Sequence, residues 1–252
     1  MFVSDASFYF PLISAVIYYV TVFLMAEITR MGLEKTVSKS SSLYVFIVEL
    51  IATAQMCTCV YENSVVIKYY GPLAFFFTVT SLLTIGSFVN RGAFVSPLAP
   101  IEAYYYGIIG SSRLMLLLIA ETIGGFSAYR IARELHKCRV HKYKIGFSLV
   151  ISFELAGCFL LRLILPNLPL RYKSCTVSAI VAALLSFALV YVGVPGLNPV
   201  VASSRLFGCD GIDAKWFIAV YWLCPVIGWL AAAATENFIK KKMSKKIKKK
   251  AN

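Results

Sequence analysis

The stretch Gly193–Gly211, "GVPGLNPVVASSRLFGCDG", begins where a long apolar segment ends. It contains Asn198 followed by Pro199, a pair that usually marks a turn at a protein surface. Here the flanking residues are too apolar for a surface turn. Asn is a strong helix N-cap, and Pro is favoured at the first helical position because its missing N–H would be unbonded there anyway. The stretch therefore predicts that a short helix, "VVASSRLF", starts inside an apolar environment.

The rest of the chain is apolar as well. Its 252 residues are 59% hydrophobic and only 15% charged, and the mean hydropathy is +0.76, whereas a typical soluble domain is about one quarter charged. Seven segments approach the roughly 20 apolar residues that a transmembrane helix needs: Phe8 to Ile28, Leu43 to Tyr61, Pro72 to Val89, Leu114 to Ile131, Ile145 to Leu165, Cys175 to Val194 and Trp216 to Ala234. The sequence predicts an all-α polytopic membrane protein with no separate soluble domain.

The charge distribution predicts an orientation. The net charge is +13, and eight lysines lie in the final "KKKMSKKIKKKAN". A basic tail beside a membrane helix is attracted to anionic cytoplasmic lipid; nucleic acid is the less favoured alternative. The first apolar segment follows Asp5 and precedes Arg30 and Lys35, which excludes a signal-peptide flank and orients the N-terminus away from the cytosol. Seven crossings then leave the C-terminus cytosolic, although the basic loop 130–144 conflicts with this topology.

An internal repeat follows from two membrane carboxylates, Glu49 and Glu154, which lie early in the second and fifth apolar segments. Each is followed by another apolar segment and then by a turn, "RGAFVSPLAPIE" or "GVPGLNPVVASS". The unit has three helices and one broken segment, and because three is odd the second copy enters the membrane from the opposite side. We expect an inverted repeat, with copies at 43–134 and 145–239, an extra helix and linker at 1–42 and a tail at 240–252.

The two turns predict a pore. Ser96-Pro97 resembles Asn198-Pro199 because Ser is also a good N-cap, so each turn predicts a half-helix too short to span. Such backbone is tolerated at membrane depth only where it is buried in protein or lines a water-filled path, and inverted repeats carry their sites between half-helices at the midplane.

With these features the sequence resembles the aquaporin (major intrinsic protein) family from about Leu43 to Ala234. The resemblance rests on "ELIATAQMC", "GAFVSPL" in place of G-A-H-x-N-P-A, the second Glu segment, "GLNPV" in place of G-x-N-P-A, and "WFIAVYWLCPVIGWLAA". Val201 stands where most of the family has Arg, and Arg205 comes later. The altered first motif, the extra first helix and Cys209 resemble the unorthodox intracellular superaquaporin subgroup.

The resemblance implies roles for particular residues. The half-helix caps are Ser96, Pro97, Leu98, Asn198, Pro199 and Val200, and Asn198 also offers its amide to the permeant. Glu49 and Glu154 accept hydrogen bonds from the loops that carry the half-helices, although proton coupling is an alternative. The constriction consists of Phe76, Ser186, Pro195 and Val201, unless Phe76 and Val201 only pack between helices. Such a ring is wider and less polar than that of a strict water channel.

We therefore expect a passive channel for water and small neutral solutes such as glycerol or hydrogen peroxide. The family implies a homotetramer, and no cofactor, metal site or enzymatic chemistry is expected. The final "KKAN", with Lys249 and Lys250, matches a dilysine signal for retrieval to the endoplasmic reticulum. A proton-coupled secondary transporter and a non-conducting scaffold with a closed pore are the alternatives.

Overall fold

The structure, a computed structural model, describes residues 5–133, 147–193, 195–207 and 213–251. All regular secondary structure in these residues is helical, and loops join the helices. The α-helices are α1 (Asp5–Thr36), α2 (Ser42–Val89), α3 (Leu98–Tyr105), α4 (Ser111–Arg133), α5 (Phe147–Ile164), α6 (Lys173–Tyr191), α7 (Pro199–Leu206), α8 (Ala214–Ile218) and α9 (Cys224–Ala251). Two short 3₁₀ turns lie between α5 and α6, and a π-helical turn (Ala219–Leu223) joins α8 to α9.

The long helix α2 is a hairpin of two antiparallel arms. Gly71 has φ +79°, a conformation that suits glycine, and Pro72 follows it at the start of the second arm. Gln55 of the first arm and the side chain of Asn90, just after the second, approach to 3.4 Å, which is possible only if the chain reverses. The sequence predicted two segments, ending at Tyr61 and starting at Pro72, with a connection between them. The connection is shorter than predicted, because residues 62–70 are helical and the chain reverses at Gly71 alone.

Five helices in the described ranges are long and apolar enough to cross a membrane: Phe8–Thr36, Ser42–Val89, Ser148–Asn167, Leu170–Tyr191 and Ala214–Ser244. The second of these contains both arms of α2 and so accounts for two of the seven predicted segments. The predicted segment Leu114 to Ile131 lies within α4, whose side chains are described only as far as Ala128, and it is not one of the five.

The leading helix α1 lies against α2. Ala15 and Tyr19 pack on Cys59 and Val66, and the Tyr19 hydroxyl donates to Asn63 Oδ1 at 2.6 Å. The expected extra helix, α1, therefore packs on the first arm of α2 through apolar contacts and one buried hydrogen bond.

The two halves of the chain share one type of helix contact. α4 crosses the first arm of α2 at Gly124, where an added Cβ would lie 2.7 Å from the carbonyl oxygen of Leu50. α9 crosses α5 at Gly228, where an added Cβ would overlap the carbonyl oxygen of Leu155. Leu50 and Leu155 directly follow Glu49 and Glu154. The carboxylates that indicated a repeat in the sequence thus mark equivalent crossings.

Candidate pore centre

The second half-helix, α7, starts with a complete side-chain cap. Asn198 has extended backbone angles, and its Oδ1 accepts from the N–H of Val200 at 3.0 Å and of Val201 at 3.5 Å. Pro199 occupies the first helical position, and the helix ends at Leu206. The cap expected at Asn198 is therefore present.

The first half-helix, α3, starts differently from the prediction. Its N-cap position is Pro97, whose carbonyl accepts from the Ile101 N–H at 2.9 Å, and no side chain caps it. The predicted cap by the Ser96 hydroxyl was wrong, because the helix begins at Leu98, one residue later than a Ser96 cap requires. Pro100 does not break the helix, since in the first turn a missing N–H leaves no bond unmade.

Each half-helix is entered through a loop held by a buried carboxylate. Glu49 accepts from the N–H groups of Phe94 at 3.0 Å and Val95 at 2.5 Å. Glu154 accepts from those of Gly196 at 2.6 Å and Leu197 at 2.8 Å. These hydrogen bonds satisfy backbone N–H groups that the fold removes from the surface, and they hold the two tight loops in place.

The starts of the two half-helices are joined directly. The side-chain Nδ2 of Asn198 donates to the carbonyl oxygen of Val95 at 2.8 Å. Val95 has φ +58°, and Leu197, at the equivalent place in the other loop, has φ +53°. Such angles are unusual outside glycine and enriched at functional sites. The strained residue of the first loop therefore presents its carbonyl to the cap of the second half-helix.

Each half-helix packs against helices from the other half of the chain. Leu98 of α3 lies in a buried cluster with Cys158 and Leu161 of α5. Val200 and Val201 of α7 lie in a cluster with Cys57 of α2 and Ala128 of α4. This exchange brings the two loops together at one place, where the Asn198–Val95 hydrogen bond forms.

Two proteins are similar to this chain along nearly its whole length. The first, named "Putative aquaporin-10" in Caenorhabditis elegans, is 40% identical over 247 residues, which cover 91% of this chain and 88% of the relative. The chain belongs to the aquaporin family. The second, "Aquaporin-11" of Milnesium tardigradum, is 21% identical over 233 residues, or 87% of this chain and 85% of the relative. No protein-family model matches the chain.

Membership of the aquaporin family makes this chain a multi-pass membrane protein of a channel family and not an enzyme. In the ranges that the structure describes, no cluster of three or more His, Cys, Asp or Glu side chains is arranged to hold a metal.

The far end of the first half-helix carries an ion-pair network. The Arg162 guanidinium of α5 donates twice to the Glu102 carboxylate of α3, at 2.6 Å each, and at 2.7 Å to Glu236 of α9. The Trp229 indole also donates to Glu102 at 2.6 Å, and Lys240 pairs with Glu236. Sequence reasoning missed this network, since residues far apart in the chain compose it.

A second network, also missed, ties α1 to the aquaporin helices. Arg30 is fully buried and donates to Glu27, to Gln55 and, at 3.0 Å, to Asn90. Arg91 bonds Glu27 and also Glu34, at 2.9 Å from Nε, and these two carboxylates raise the pKa of Arg91 above its ordinary value. Arg30 therefore pairs with Glu27 within α1, and Glu27 and Glu34 pair with Arg91 at the end of the α2 hairpin.

The four predicted constriction residues lie in different surroundings. Val201 belongs to the cluster with Cys57 and Ala128, whereas Phe76 packs against the cluster of Phe75, Val79 and Ala182. Pro195 is buried, and Ser186 Oγ is buried without a hydrogen-bond partner in the described part of the chain. No common cluster contains all four, so the ring stays a prediction.

A small cavity adjoins α7. It measures about 40 Å³ and is lined by Thr122, Gly125, Phe126, Val200, Ser203, Ser204 and Trp222. The hydroxyl of Tyr61 donates to the Ser204 carbonyl beside it, and the Trp222 indole donates to Ser203 at 2.9 Å. Arg205 lies in the last turn of α7. Cys209 lies outside the described residues, as do the side chains of Lys249 and Lys250.

Proposed function

We propose that the chain forms a passive transmembrane channel for water and small neutral solutes. The observation that carries this proposal is the hydrogen bond from Asn198 Nδ2 to the Val95 carbonyl, 2.8 Å long, which joins the starts of two short helices. Together with membership of the aquaporin family, it supports a central site at the place where the half-helices meet.

The physical chemistry of this centre suits neutral permeants. Two helix N-termini directed at one point both present the positive end of the helix dipole, which disfavours cations and protons. The Asn198 amide has two N–H hydrogens, and one is bonded to Val95. The second is the donor that we assign to the permeant. In this arrangement the two halves of the chain insert with opposite orientations.

The direct test is stopped-flow light scattering on the purified protein in vesicles, with water and glycerol gradients compared. We expect water permeability above that of empty vesicles, with measurable glycerol or peroxide flux. A protein that passes none of these solutes supports the non-conducting scaffold instead.

Solute selectivity is assigned to Val201, which follows Asn198 by three residues, almost one helical turn. Replacing Val201 by Arg adds length, fixed charge and five N–H donors, so we expect glycerol or peroxide flux to fall much more than water flux. Arg205→Ala is the control, because we assign Arg205 to the end of α7 and outside the ring. If Val201→Arg scales all fluxes equally while Arg205→Ala changes their ratio, Arg205 is the filter residue.

Proton-coupled transport is the main alternative, and the loop contacts argue against it. Glu49 and Glu154 each accept two backbone N–H bonds, and a carboxylate that must release its loop to change protonation is a poor carrier site. An imposed pH gradient across the vesicles separates the two functions. Uptake of solute against its own concentration gradient would exclude a channel.

We further propose an intracellular membrane, with the C-terminus cytosolic, as in the superaquaporin subgroup that the sequence resembles. A homotetramer with one pore in each subunit is the expected assembly, and the basic tail is expected to bind anionic lipid. Changing Lys249 and Lys250 to Ser, or appending residues after Asn252, should move the protein toward the cell surface. Unchanged reticular staining would show that "KKAN" matches by chance and that the tail acts by charge alone.

A further inference from the structure

Helix α4 contains one buried carboxyl group, that of Glu121. Glu121 of α4 is fully buried, and neither carboxyl oxygen has a hydrogen-bond donor among the described residues. An isolated charge in such a position is strongly unfavourable. The side chain therefore needs a partner that supplies a hydrogen.

Glu121 precedes by three residues Gly124, where α4 crosses α2 against the carbonyl of Leu50, the residue that follows Glu49. This crossing places the carboxyl of Glu121 toward that of Glu49. A proton on one of the two would let it donate a hydrogen bond to the other. Two ionised carboxylates can only accept hydrogen bonds, so no bond exists between them while both are charged. Like charges in contact within an apolar interface also repel strongly. One proton on the pair removes both problems.

The surroundings determine which carboxyl carries the proton. Glu49 accepts from the N–H groups of Phe94 and Val95, and the positive charge of Arg113 attracts it. Each of these interactions stabilises an ionised carboxylate. Among the described residues, Glu121 has no such donor. The charge therefore resides on Glu49.

We propose that Glu121 is protonated and donates its O–H to the Glu49 carboxylate, which in turn holds the loop that starts the first half-helix. Glu121 is thus a positioning residue for the candidate pore centre. It acts through Glu49 on Val95, whose carbonyl accepts the Asn198 amide.

The equivalent crossing in the second half has a different residue at this place. Gly124 and Gly228 occupy equivalent helix crossings, and three residues before them stand Glu121 and Pro225. Proline has no side-chain donor, and the hydrogen bonds described for Glu154 come from the backbone N–H groups of Gly196 and Leu197. The additional carboxyl is found in the half whose half-helix has no side-chain cap.

Infrared spectroscopy of the purified full-length protein in vesicles, in H₂O and in D₂O, tests the protonation state independently of flux. A protonated carboxylic acid has a carbonyl stretching band, separate from the carboxylate bands, that shifts on deuteration. We expect the wild-type minus Glu121→Gln difference spectrum to contain the whole of this band. The wild-type minus Glu49→Gln spectrum should show a shift of the band without net loss, because Glu121 keeps its proton while its acceptor changes. If the first difference lacks the band, or if the second shows its net loss, the assignment is overturned.

The positioning role has its own test, which rests on the proposed function. Glu121→Gln keeps an N–H donor toward Glu49, so its water permeability should remain close to the wild-type value. Glu121→Leu removes the donor to a charged acceptor, and we expect the population of the ordered loop, and with it the permeability per protein, to fall about tenfold or more.

Equal losses in Glu121→Gln and Glu121→Leu would overturn the positioning role. If the wild type conducts nothing, the infrared result still determines whether Glu121 is protonated. Thermal stability then replaces flux as the comparison between the two variants, with Glu121→Leu expected to be the less stable.

Discussion

The two half-helices occupy equivalent places in the repeat but are stabilised at opposite ends. α7 is fixed at its start, where Asn198 caps the helix and bonds across to Val95. α3 has no side-chain cap at its start; its far end is held by the pairing of Glu102 with Arg162. An eight-residue helix is too short to be stable alone, so each must be anchored from outside. A short half-helix can therefore be held in place by an ion pair along its length as well as by a side-chain cap at its start.

This difference has a consequence for the candidate pore. The Asn198 cap lies where the two loops meet, whereas Glu102 and its ion pair lie about one helical turn further along α3. The side chain that joins the two loops at the centre is thus supplied by the second half, and the first half supplies a backbone carbonyl. The following variants test the comparison, in order of decreasing effect on stability.

Arg162→Ala should be the most damaging change. Arg162, Glu102 and Glu236 have only 15%, 16% and 14% of their side-chain surface exposed. Removing the arginine leaves the poorly solvated Glu102 carboxylate with the neutral Trp229 indole and leaves Glu236 with Lys240. Loss of one partner of a buried ion pair costs about 3–5 kcal/mol. We expect loss of folded protein, or a large drop in melting temperature, measured by fluorescence-detected size exclusion after heating.

The double variant Arg162→Leu with Glu102→Gln is the control for Arg162→Ala. It removes one charge of each sign and keeps a side-chain oxygen as acceptor for the Trp229 indole. It should recover part of the lost stability. An Arg162→Ala protein as stable as the wild type would show that α3 is not held from its outer end.

Gly228→Ala should come next and should exceed Gly124→Ala. A Cβ at Gly228 would overlap the Leu155 carbonyl oxygen, whereas one at Gly124 would lie 2.7 Å from that of Leu50. Backbone atoms cannot move aside alone, so α9 must shift from α5, and overpacking of this kind costs about 1–3 kcal/mol. Melting temperatures of the two variants give the comparison, and equal losses would show that the crossings are equally tight.

Asn198→Ala should lower stability by about 0.5–2 kcal/mol, the usual cost of losing an N-cap. It also removes the only side-chain bond described between the two loops, so water permeability should fall more than stability suggests. Stopped-flow permeability and thermal unfolding of the same preparation measure both effects. Full permeability with unchanged unfolding would exclude Asn198 from both roles.

Much of this arrangement was predictable because it depends on local pattern. Apolar length predicted the helices, and the Asn198-Pro199 pair predicted the start of α7, since capping involves neighbours in sequence. Glu49 and Glu154 were identified as loop acceptors through the family resemblance. Their equivalent positions in the two halves also indicated the repeat.

The remaining features depend on contacts distant in sequence or on backbone angles. The pairing of Arg162 with Glu102 joins residues 60 apart, and no pattern within either helix indicates it. The left-handed angle at Val95 is equally hidden, because a β-branched residue rarely adopts it. The Ser96 cap failed for a related reason: a Ser-Pro pair is compatible with helix starts at either residue, and the register is set by the loop that Glu49 holds.

Ser96→Ala should therefore have the smallest effect of all. Asn198 and Ser96 are equivalent in the repeat, but the first half-helix begins at Leu98 with Pro97 at the cap position and no side-chain cap. Removing the Ser96 hydroxyl breaks no capping bond, and we expect a change within about 0.5 kcal/mol, as for substitutions away from structural features. Thermal unfolding beside Asn198→Ala measures the asymmetry. A loss equal to that of Asn198→Ala would mean that the hydroxyl caps α3 after all. The two half-helices would then start alike, and the difference between them would be confined to the ion pair at Arg162.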